Sequence, residues 1–291
     1  MTQSILTAPI GHYRVKHVVK SETLKILTLR STAITLGITV VAALLVTGLV
    51  AHADLGHGAG FYIGFDPTQS SLTGMVVAGL TGGVFGALII TGEYSSGTIR
   101  TTLSATPRRP ILLAAKTSVT AAAVVVFCEI LSFVCFFLGQ AILSGEGTPP
   151  NGSFAQGGSQ IIRNGIVVPG RIVTHASLGS AGALRAVWMT GLFVALLALM
   201  AYGLGLIFRS TAGAIAGFAG VTFVLPLVIR GISEHFVRYM PTNILVNSVM
   251  STTSNGGPYP PLSPAVGLLV MVLYAAVALA IGTVLFAKRD A

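Results

Sequence analysis

Long apolar runs separated by short polar segments dominate the hydrophobic pattern of this chain of 291 residues. An apolar run of about 20 residues is long enough to cross a hydrocarbon core of about 30 Å as a helix. The pattern therefore predicts an all-α integral membrane protein with six transmembrane helices. The expected spans are Thr32–Ala53, Leu72–Ile90, Thr117–Ile142, Ala186–Phe208, Thr211–Ile229 and Ala265–Phe286.

The distribution of charge along the chain agrees with a membrane protein. Only 9% of the residues are charged, against about a quarter in ordinary soluble domains. The formal net charge of +9 is typical of nucleic-acid binding, but the basic residues follow the positive-inside rule instead. A cytoplasmic N-terminus places 12 of the 17 basic residues inside and leaves Arg163, Arg171, Arg185, Arg230 and Arg238 outside. We therefore predict six spans with cytoplasmic N- and C-termini, and no nucleic-acid partner.

Residues 1–31 precede the first expected span and are predicted to form an interfacial amphipathic helix, ahead of a permease domain of residues 32–291. Val15, Val18, Val19 and Ile26 share one helical face, while the lysines and Arg14 lie on the others. Such a helix lies along the membrane surface with its cations near anionic headgroups. Glu22 interrupts the apolar stripe, so a solvated basic tail remains the alternative.

Pairs of glycines four residues apart occur in the second and fifth expected spans. The pairs are Gly79 with Gly83, Gly82 with Gly86, and Gly213 with Gly217. Small residues at this spacing allow helix backbones to approach closely in a membrane. We therefore predict helix packing at these glycines, including packing between two copies of the permease. Pro226 is expected to kink span five near its outer end.

Motifs for catalysis are absent from the sequence. The phosphate-binding loop GxxxxGK[ST] does not occur, and no Gly-Lys pair exists anywhere in the chain. No catalytic triad is recognisable either. The sequence thus predicts a chain that is not an enzyme, has no catalytic residues and binds no cofactor of its own.

Few ionisable residues are placed where they could bind a substrate or a metal. Glu129 is the one ionisable group well inside an expected span, where an unpaired carboxylate is costly. It is a candidate for the substrate pathway, with a structural hydrogen bond to a neighbouring helix as the equal alternative. His52, Asp54 and His57 cluster after span one, but flexible loop ligands favour a solvated loop, so no metal site is predicted.

The segment EYSSGTIRTTLSATPRRP, residues 93–110, is polar and lies between two apolar runs. An arginine at a bilayer centre costs about 3 kcal/mol, so Arg100, Arg108 and Arg109 belong in water. Residues 94–103 are predicted to form a short helix, with Ser95 or Ser96 as N-cap and Glu93 at the positive end of its dipole. Pro107 is expected to end that helix.

This segment, extended to GEYSSGTIRTTLSATPRRPILLAAK, resembles the first cytoplasmic loop of permeases of type-2 ABC exporters, especially an actinobacterial branch. SETLKILTLRST is similar to the interfacial helix of these permeases, and GLGLIFRSTAGAIAG to their tight turn between spans four and five. With six spans and both termini inside, the resemblance covers the whole chain.

The resemblance implies a membrane-spanning subunit that forms the pathway for an amphiphilic compound such as a drug, antibiotic or lipid. Its implied partners are two copies of a separate ATPase subunit, which would bind ATP and Mg²⁺, and a second permease, identical or similar. The loop would be the cytoplasmic coupling helix that rests in a groove of the ATPase. The implied coupling residues are Glu93, Tyr94, Thr98, Arg100, Thr101, Pro107, Arg108 and Arg109.

Two other classes of function remain open at the level of sequence. An ion-coupled carrier or channel would transport its substrate without an ATPase, under an ion gradient alone. A membrane scaffold or assembly factor would form no central pathway. The expected location is the plasma membrane, as a multi-pass protein of a bacterium. Two long outer segments are expected as well, and the second contains the amphipathic stretches ISEHFVRYM and NILVNSVM, which predict short helices.

Overall fold

A computed structural model describes residues 15–28, 30–56, 65–99, 109–144, 160–163, 166–169, 175–251 and 260–288. The helices are α1 (Val15–Thr28), α2 (Arg30–Gly56), α3 (Pro67–Leu72), α4 (Gly74–Ser95), α5 (Arg109–Leu143), α6 (Ala183–Phe208), α7 (Thr211–Ala219), α8 (Leu225–Ile232), α9 (Glu234–Val237), α10 (Pro241–Ser248) and α11 (Pro264–Lys288). Two antiparallel strands, β1 (Gln160–Arg163) and β2 (Ile166–Pro169), pair Gln160 with Pro169 in the long segment between α5 and α6.

Within the described residues, six helical stretches are long and apolar enough to cross a membrane, which confirms the predicted number of spans. They are Arg30–Leu55, Pro67–Ser95, Leu113–Leu143, Ala183–Phe208, Thr211–Ile232 and Pro264–Lys288. Most of these spans begin a few residues earlier or end a few residues later than the apolar runs. The difference arises because polar residues continue the helices beyond the hydrocarbon-like segments.

Helix α6 is the centre of the bundle and is the most buried span. It packs against α4, α5, α7 and α11. Gly86 of α4 approaches the backbone of Ala198 so closely that a Cβ atom would overlap its carbonyl oxygen. Gly203 of α6 also lies too close to the backbone of Ala278 in α11 for a Cβ atom to fit without a shift. The core thus forms where small residues allow backbones to meet.

Alternating helix directions give the bundle two ends. The first, which we call the α1 end, contains α1, the last turn of α4, the first turns of α5 and the end of α11. Its apolar core is formed by Ile90, Ile99, Leu113, Tyr202, Leu206 and Phe286. The other, the α3 end, contains α3, the end of α5 and the helices α8 to α10. The predicted short helices are present as α9 and α10.

Span five is interrupted just before Pro226, as a π-helical turn over Gly220–Val224 between α7 and α8. Pro226 has no N–H to donate to the carbonyl of Thr222, four residues earlier. The hydroxyl of Thr242 in α10 donates to that carbonyl oxygen instead. The interruption is therefore a π-turn that is bonded to a neighbouring short helix.

Candidate functional site

Four charged side chains meet at the α1 end and form what we call the ion-pair cluster: Glu22, Lys25, Glu93 and Lys116. The ammonium of Lys116 lies 2.5 Å from Glu22 Oε2 and 2.5 Å from Glu93 Oε1. Lys25 lies 2.9 Å from Glu22 Oε1 and 3.6 Å from Glu93 Oε1. The cluster joins α1, the last turn of α4 and the first turns of α5.

Burial makes this cluster different from an ordinary surface salt bridge. The Glu22 and Lys116 residues are only 4% and 5% exposed, whereas a typical exposed pair contributes about 0–1 kcal/mol. A buried charge without its partner is strongly destabilising, because the desolvation cost remains. The three helices are therefore held together by contacts that are costly to break one at a time.

The electrostatics of α1 follow from this arrangement. Burial by itself disfavours the charged form of Glu22, but the ammonium groups of Lys116 and Lys25 outweigh it, so the pKa of Glu22 lies below its usual 4.5. Burial likewise disfavours the charged form of Lys25, but the carboxylates of Glu22 and Glu93 outweigh it and raise its pKa above 10.5. Both groups are ionised at neutral pH.

The structure corrects the predicted start of the coupling helix. Glu93 and Tyr94 belong to the last turn of α4, whose C-cap is Ser96, so Ser95 and Ser96 are not N-caps. Helix α4 continues past Gly92 to Ser95. The chain turns at Gly97, where a positive φ of 70° suits glycine. Glu93 thus lies at the negative end of a helix dipole, where its carboxylate is bound by Lys116.

The remaining predicted coupling residues are divided between described and undescribed parts of the chain. The Tyr94 ring lies under the guanidinium of Arg209, 5.5 Å from its centroid, and so joins α4 to the turn after α6. Thr98 is exposed, and its hydroxyl lies 2.9 Å from that of Ser96. Arg109 begins α5. Arg100, Thr101, Pro107 and Arg108 lie outside the described residues.

A cavity of about 480 Å³ opens beside the ion-pair cluster, and we call it the cluster cavity. Its charged and hydroxyl-bearing lining comes from α1, α2, α5 and the end of α4, where Glu93 lies, and its apolar lining comes from Phe85, Leu88 and Ile89 earlier in α4. The first turns of α2 contribute Ser31 and Thr35. The cavity is therefore polar at the α1 end and apolar toward the middle of the bundle.

Glu129 lies in the middle of α5, with its carboxylate packed against Gly191 of α6. The residue is 8% exposed, and neither carboxylate oxygen has a hydrogen-bond partner among the described residues. Glu129 is not among the residues that line the cluster cavity of about 480 Å³ beside the ion-pair cluster. The nearby Ser132 hydroxyl instead donates to the carbonyl oxygen of Val187. The expected hydrogen bond from Glu129 to a neighbouring helix is thus not present in the described part of the chain.

The paired glycines face neighbouring helices of the same chain. A Cβ on Gly83 would overlap the ring of Phe218 in α7, and one on Gly79 would meet Leu245 and Leu197. Gly213 and Gly217 lie against Phe208, at the end of α6. The open faces of these glycines are therefore occupied by side chains of the same chain, and packing between two copies stays a prediction.

A second polar network closes the α3 end. Asp66 caps α3 by accepting from the backbone N–H groups of Thr68 and Gln69, and it also accepts from the N–H of Ser251 at 2.6 Å. Gln140 bonds the Pro67 carbonyl and the N–H of Ala176. The network ties α3 and α5 to the segments flanking α6 and α10.

The HADLGH segment is only partly described. Asp54 accepts a hydrogen bond from the Ser70 hydroxyl at 2.6 Å, and His57 lies outside the described residues. Where the structure does describe the chain, no group of three histidine, cysteine, aspartate or glutamate side chains gathers as metal ligands.

Sequence reasoning missed Glu22 and Lys116 as members of a site. Lys116 is one of many basic residues on the expected inner side, and Glu22 interrupts an apolar stripe, so neither residue stands out in the sequence. The sequence does contain one signal. Glu22 is an acidic residue in a basic helix that is predicted to lie along the membrane surface. Its partner is 94 residues away, so no local spacing could identify the pair.

Comparison with known families identifies the family of this chain. The model of the ABC-2 family transporter proteins matches residues 18–291, which include most of α1 and the six described spans. No curated protein matches the chain. Six apolar spans and this match together define a multi-pass membrane protein and a transport subunit, whose family in general works with a partner ATPase. The chain belongs to the ABC-2 family, as a permease of the type-2 ABC transporter class.

Proposed function

We propose that this chain is the permease subunit of an ATP-driven exporter, which moves an amphiphilic compound across the plasma membrane of a bacterium. A separate ATPase subunit, present twice, binds ATP and Mg²⁺ and docks on the segment between α4 and α5. A second permease, identical or similar, completes the pathway. In this arrangement the α1 end faces the cytoplasm, in accord with the positive-inside rule.

The ion-pair cluster is the observation that supports this proposal most directly. The segment of residues 96–108 leaves α4 just after Glu93 and enters α5 a few residues before Lys116. Glu93 and Lys116 are bonded to each other at 2.5 Å, so a force applied to the segment acts on both helices together. Glu22 adds α1 to the same unit. A docked ATPase would therefore move three helices as one body.

The position of Ile99 supports the same conclusion. Its side chain is buried in the apolar core of the α1 end, together with Leu113 of α5 and Phe286 of α11. Thr98 beside it is exposed. The start of the segment is thus anchored in the bundle by Ile99, while the neighbouring Thr98 is exposed.

Co-expression tests the proposal. The chain expressed alone and purified should hydrolyse no ATP, whereas it should co-purify with a separate ATPase subunit when both are expressed together and support ATP-dependent export by the pair. Transport by the purified chain under an ion gradient alone would instead show an ion-coupled carrier. Dimers without any transport would favour a scaffold.

A further inference from the structure

The cluster cavity has a property that the coupling role of the ion-pair cluster does not use. Its polar and apolar lining residues are separated along α4. Glu93 lies at the α1 end and Phe85 lies eight residues earlier, about 12 Å deeper at 1.5 Å per residue. Both residues line the same cavity. Its shape and polarity therefore suit a molecule with a polar head and an apolar tail.

The charges at the polar end cancel. Two carboxylates, of Glu22 and Glu93, face two ammonium groups, of Lys25 and Lys116. A headgroup with a single net charge would leave that charge uncompensated in a partly buried site, which is costly. A headgroup that carries one cation and one anion keeps the site neutral.

Each charge of such a headgroup has a partner in the cluster. Three of the four carboxylate oxygens are bonded by lysines, whereas Glu93 Oε2 has no hydrogen-bond partner among the described residues. The last side-chain torsion of Glu93 is only weakly restricted, so rotation about it would turn this oxygen toward the ammonium group of a ligand. The Lys25 side chain is 36% exposed, so its ammonium is accessible to an anionic group.

We propose that the cluster cavity binds an amphiphile with a zwitterionic headgroup, whose ammonium pairs with Glu93 and whose anionic group pairs with Lys25. The tail lies against Phe85, Leu88 and Ile89, and the hydroxyls of Ser31 and Thr35 flank the headgroup. The site is a property of the permease itself and does not depend on the transport reaction. Its ligand is either a resident phospholipid or a transported compound of the same chemistry.

Lipid binding to the purified permease tests this site. Native mass spectrometry in detergent would compare dioleoyl phosphatidylethanolamine, which is zwitterionic, with an anionic phosphatidylglycerol and a cationic trimethylammonium lipid carrying the same chains. We expect one saturable phosphatidylethanolamine per permease, bound at least about ten-fold more tightly than the other two. Equal or tighter binding of either singly charged lipid would overturn the proposal.

Matched variants locate the bound lipid. Thr35→Phe fills the cavity from α2 without removing a charge and should weaken phosphatidylethanolamine binding about ten-fold or more. Ile38→Phe places the same phenyl ring on the exposed face of the same helix and should leave binding unchanged. Lys25→Gln should weaken binding, whereas Lys20→Gln, at an exposed position of α1, should not. If the two α2 variants bind alike, or the two α1 variants do, the lipid is not in this cavity.

The source of the ligand is decided in vesicles. The permease and its ATPase would be reconstituted with a headgroup-labelled phosphatidylethanolamine. ATP-dependent movement of the label across the bilayer that Thr35→Phe abolishes would identify a transported compound. Tight binding without movement would identify a resident lipid. Both results support the site, whereas Thr35→Phe without effect on binding contradicts it.

Discussion

At the scale of single residues, the buried carboxylate of Glu22 makes the position of α1 sensitive to pH. Its pKa in the folded protein is lower than in the unfolded chain. The stability that it contributes is therefore fully present above the usual value of 4.5 and is lost as the pH falls through the lower folded value. A loss of this kind releases Lys116 and Lys25 from their partner on α1.

Glu22→Gln should reveal this dependence. At neutral pH the variant should melt at a lower temperature than the original protein, because Lys116 loses a buried counter-charge. The difference in melting temperature should shrink as the pH falls below 4.5, because Glu22 itself then becomes neutral. Thr23→Gln, at an exposed position of the same helix, should show no such convergence. If the melting temperatures of Glu22→Gln and the original protein differed by the same amount from pH 3 to pH 7, Glu22 would not be ionised in the folded protein.

Glu129 is a residue-scale feature of another kind, a buried carboxylate without a described partner. We expect Glu129→Gln to reduce export of cationic substrates while yield and melting temperature hold, because it removes the ionisable group and keeps the shape. Glu129→Leu serves as the control for packing. If Glu129→Gln transports every substrate as before and Glu129→Leu alone destabilises the protein, Glu129 is structural.

At the scale of elements, glycine determines how closely α4 and α7 approach. Gly83→Leu should lower the stability of the folded monomer by about 1–3 kcal/mol, because the new side chain overlaps Phe218. Gly37→Leu provides the control, because no other side chain lies within 4 Å of a Cβ at that position. Thermal unfolding would measure both. If Gly83→Leu prevented assembly without lowering the stability of the monomer, Gly83 would instead pack at an interface between two copies of the permease.

The π-turn in span five offers a second test at this scale. Thr242→Val removes the donor to the Thr222 carbonyl, and we expect a loss of about 0.6 kcal/mol and at most about 1.7, as measured for hydrogen bonds between membrane helices. Pro226→Ala restores an N–H four residues after Thr222 and should reduce that loss in the double variant. Additive effects of the two changes would show that the proline and the threonine do not share this carbonyl.

Elements were predictable from the sequence to the extent that a local pattern specifies them. The six spans follow from apolar length, and α9 and α10 from short amphipathic stretches. The strands β1 and β2 were not predicted, although Asn164-Gly165 between two short apolar runs is a sequence signal for a hairpin. The second predicted span ends at Ile90, whereas α4 continues to Ser95, because apolar length does not show how far polar residues extend a helix. The turn at Gly97, with its positive φ, is visible only in the structure.

The candidate site was less predictable than the fold. Glu93 was identified for its polar surroundings, but its actual partner Lys116 lies 23 residues away on another helix. Tertiary packing brings these residues together, and neither helical periodicity nor turn chemistry encodes that meeting. The glycine pairs were recognised as packing residues, but spacing alone does not say whether the neighbouring helix belongs to the same chain.

At the scale of the whole molecule, coupling to an ATPase should depend on the basic residues of the segment between α4 and α5. Replacing Arg100 and Arg109 together by glutamate should leave the permease folded, while the ATPase binds less tightly or its hydrolysis no longer responds to substrate. Charge reversal adds repulsion to the loss of attraction. Arg30→Glu with Lys288→Glu is the matched control, because both positions are exposed at the same end. Equal effects of the two double variants would indicate a general loss of inner positive charge.

The ion-pair cluster also sets an order of events during biosynthesis. Glu22 leaves the ribosome 94 residues before Lys116, which corresponds to about 5 to 20 s at typical rates of chain elongation. During that interval the first two spans can enter the membrane, but α1 has no buried cation to receive its carboxylate. The docking of α1 therefore waits for the third span, and a nascent chain that stops earlier leaves Glu22 and Glu93 without their shared buried cation, Lys116.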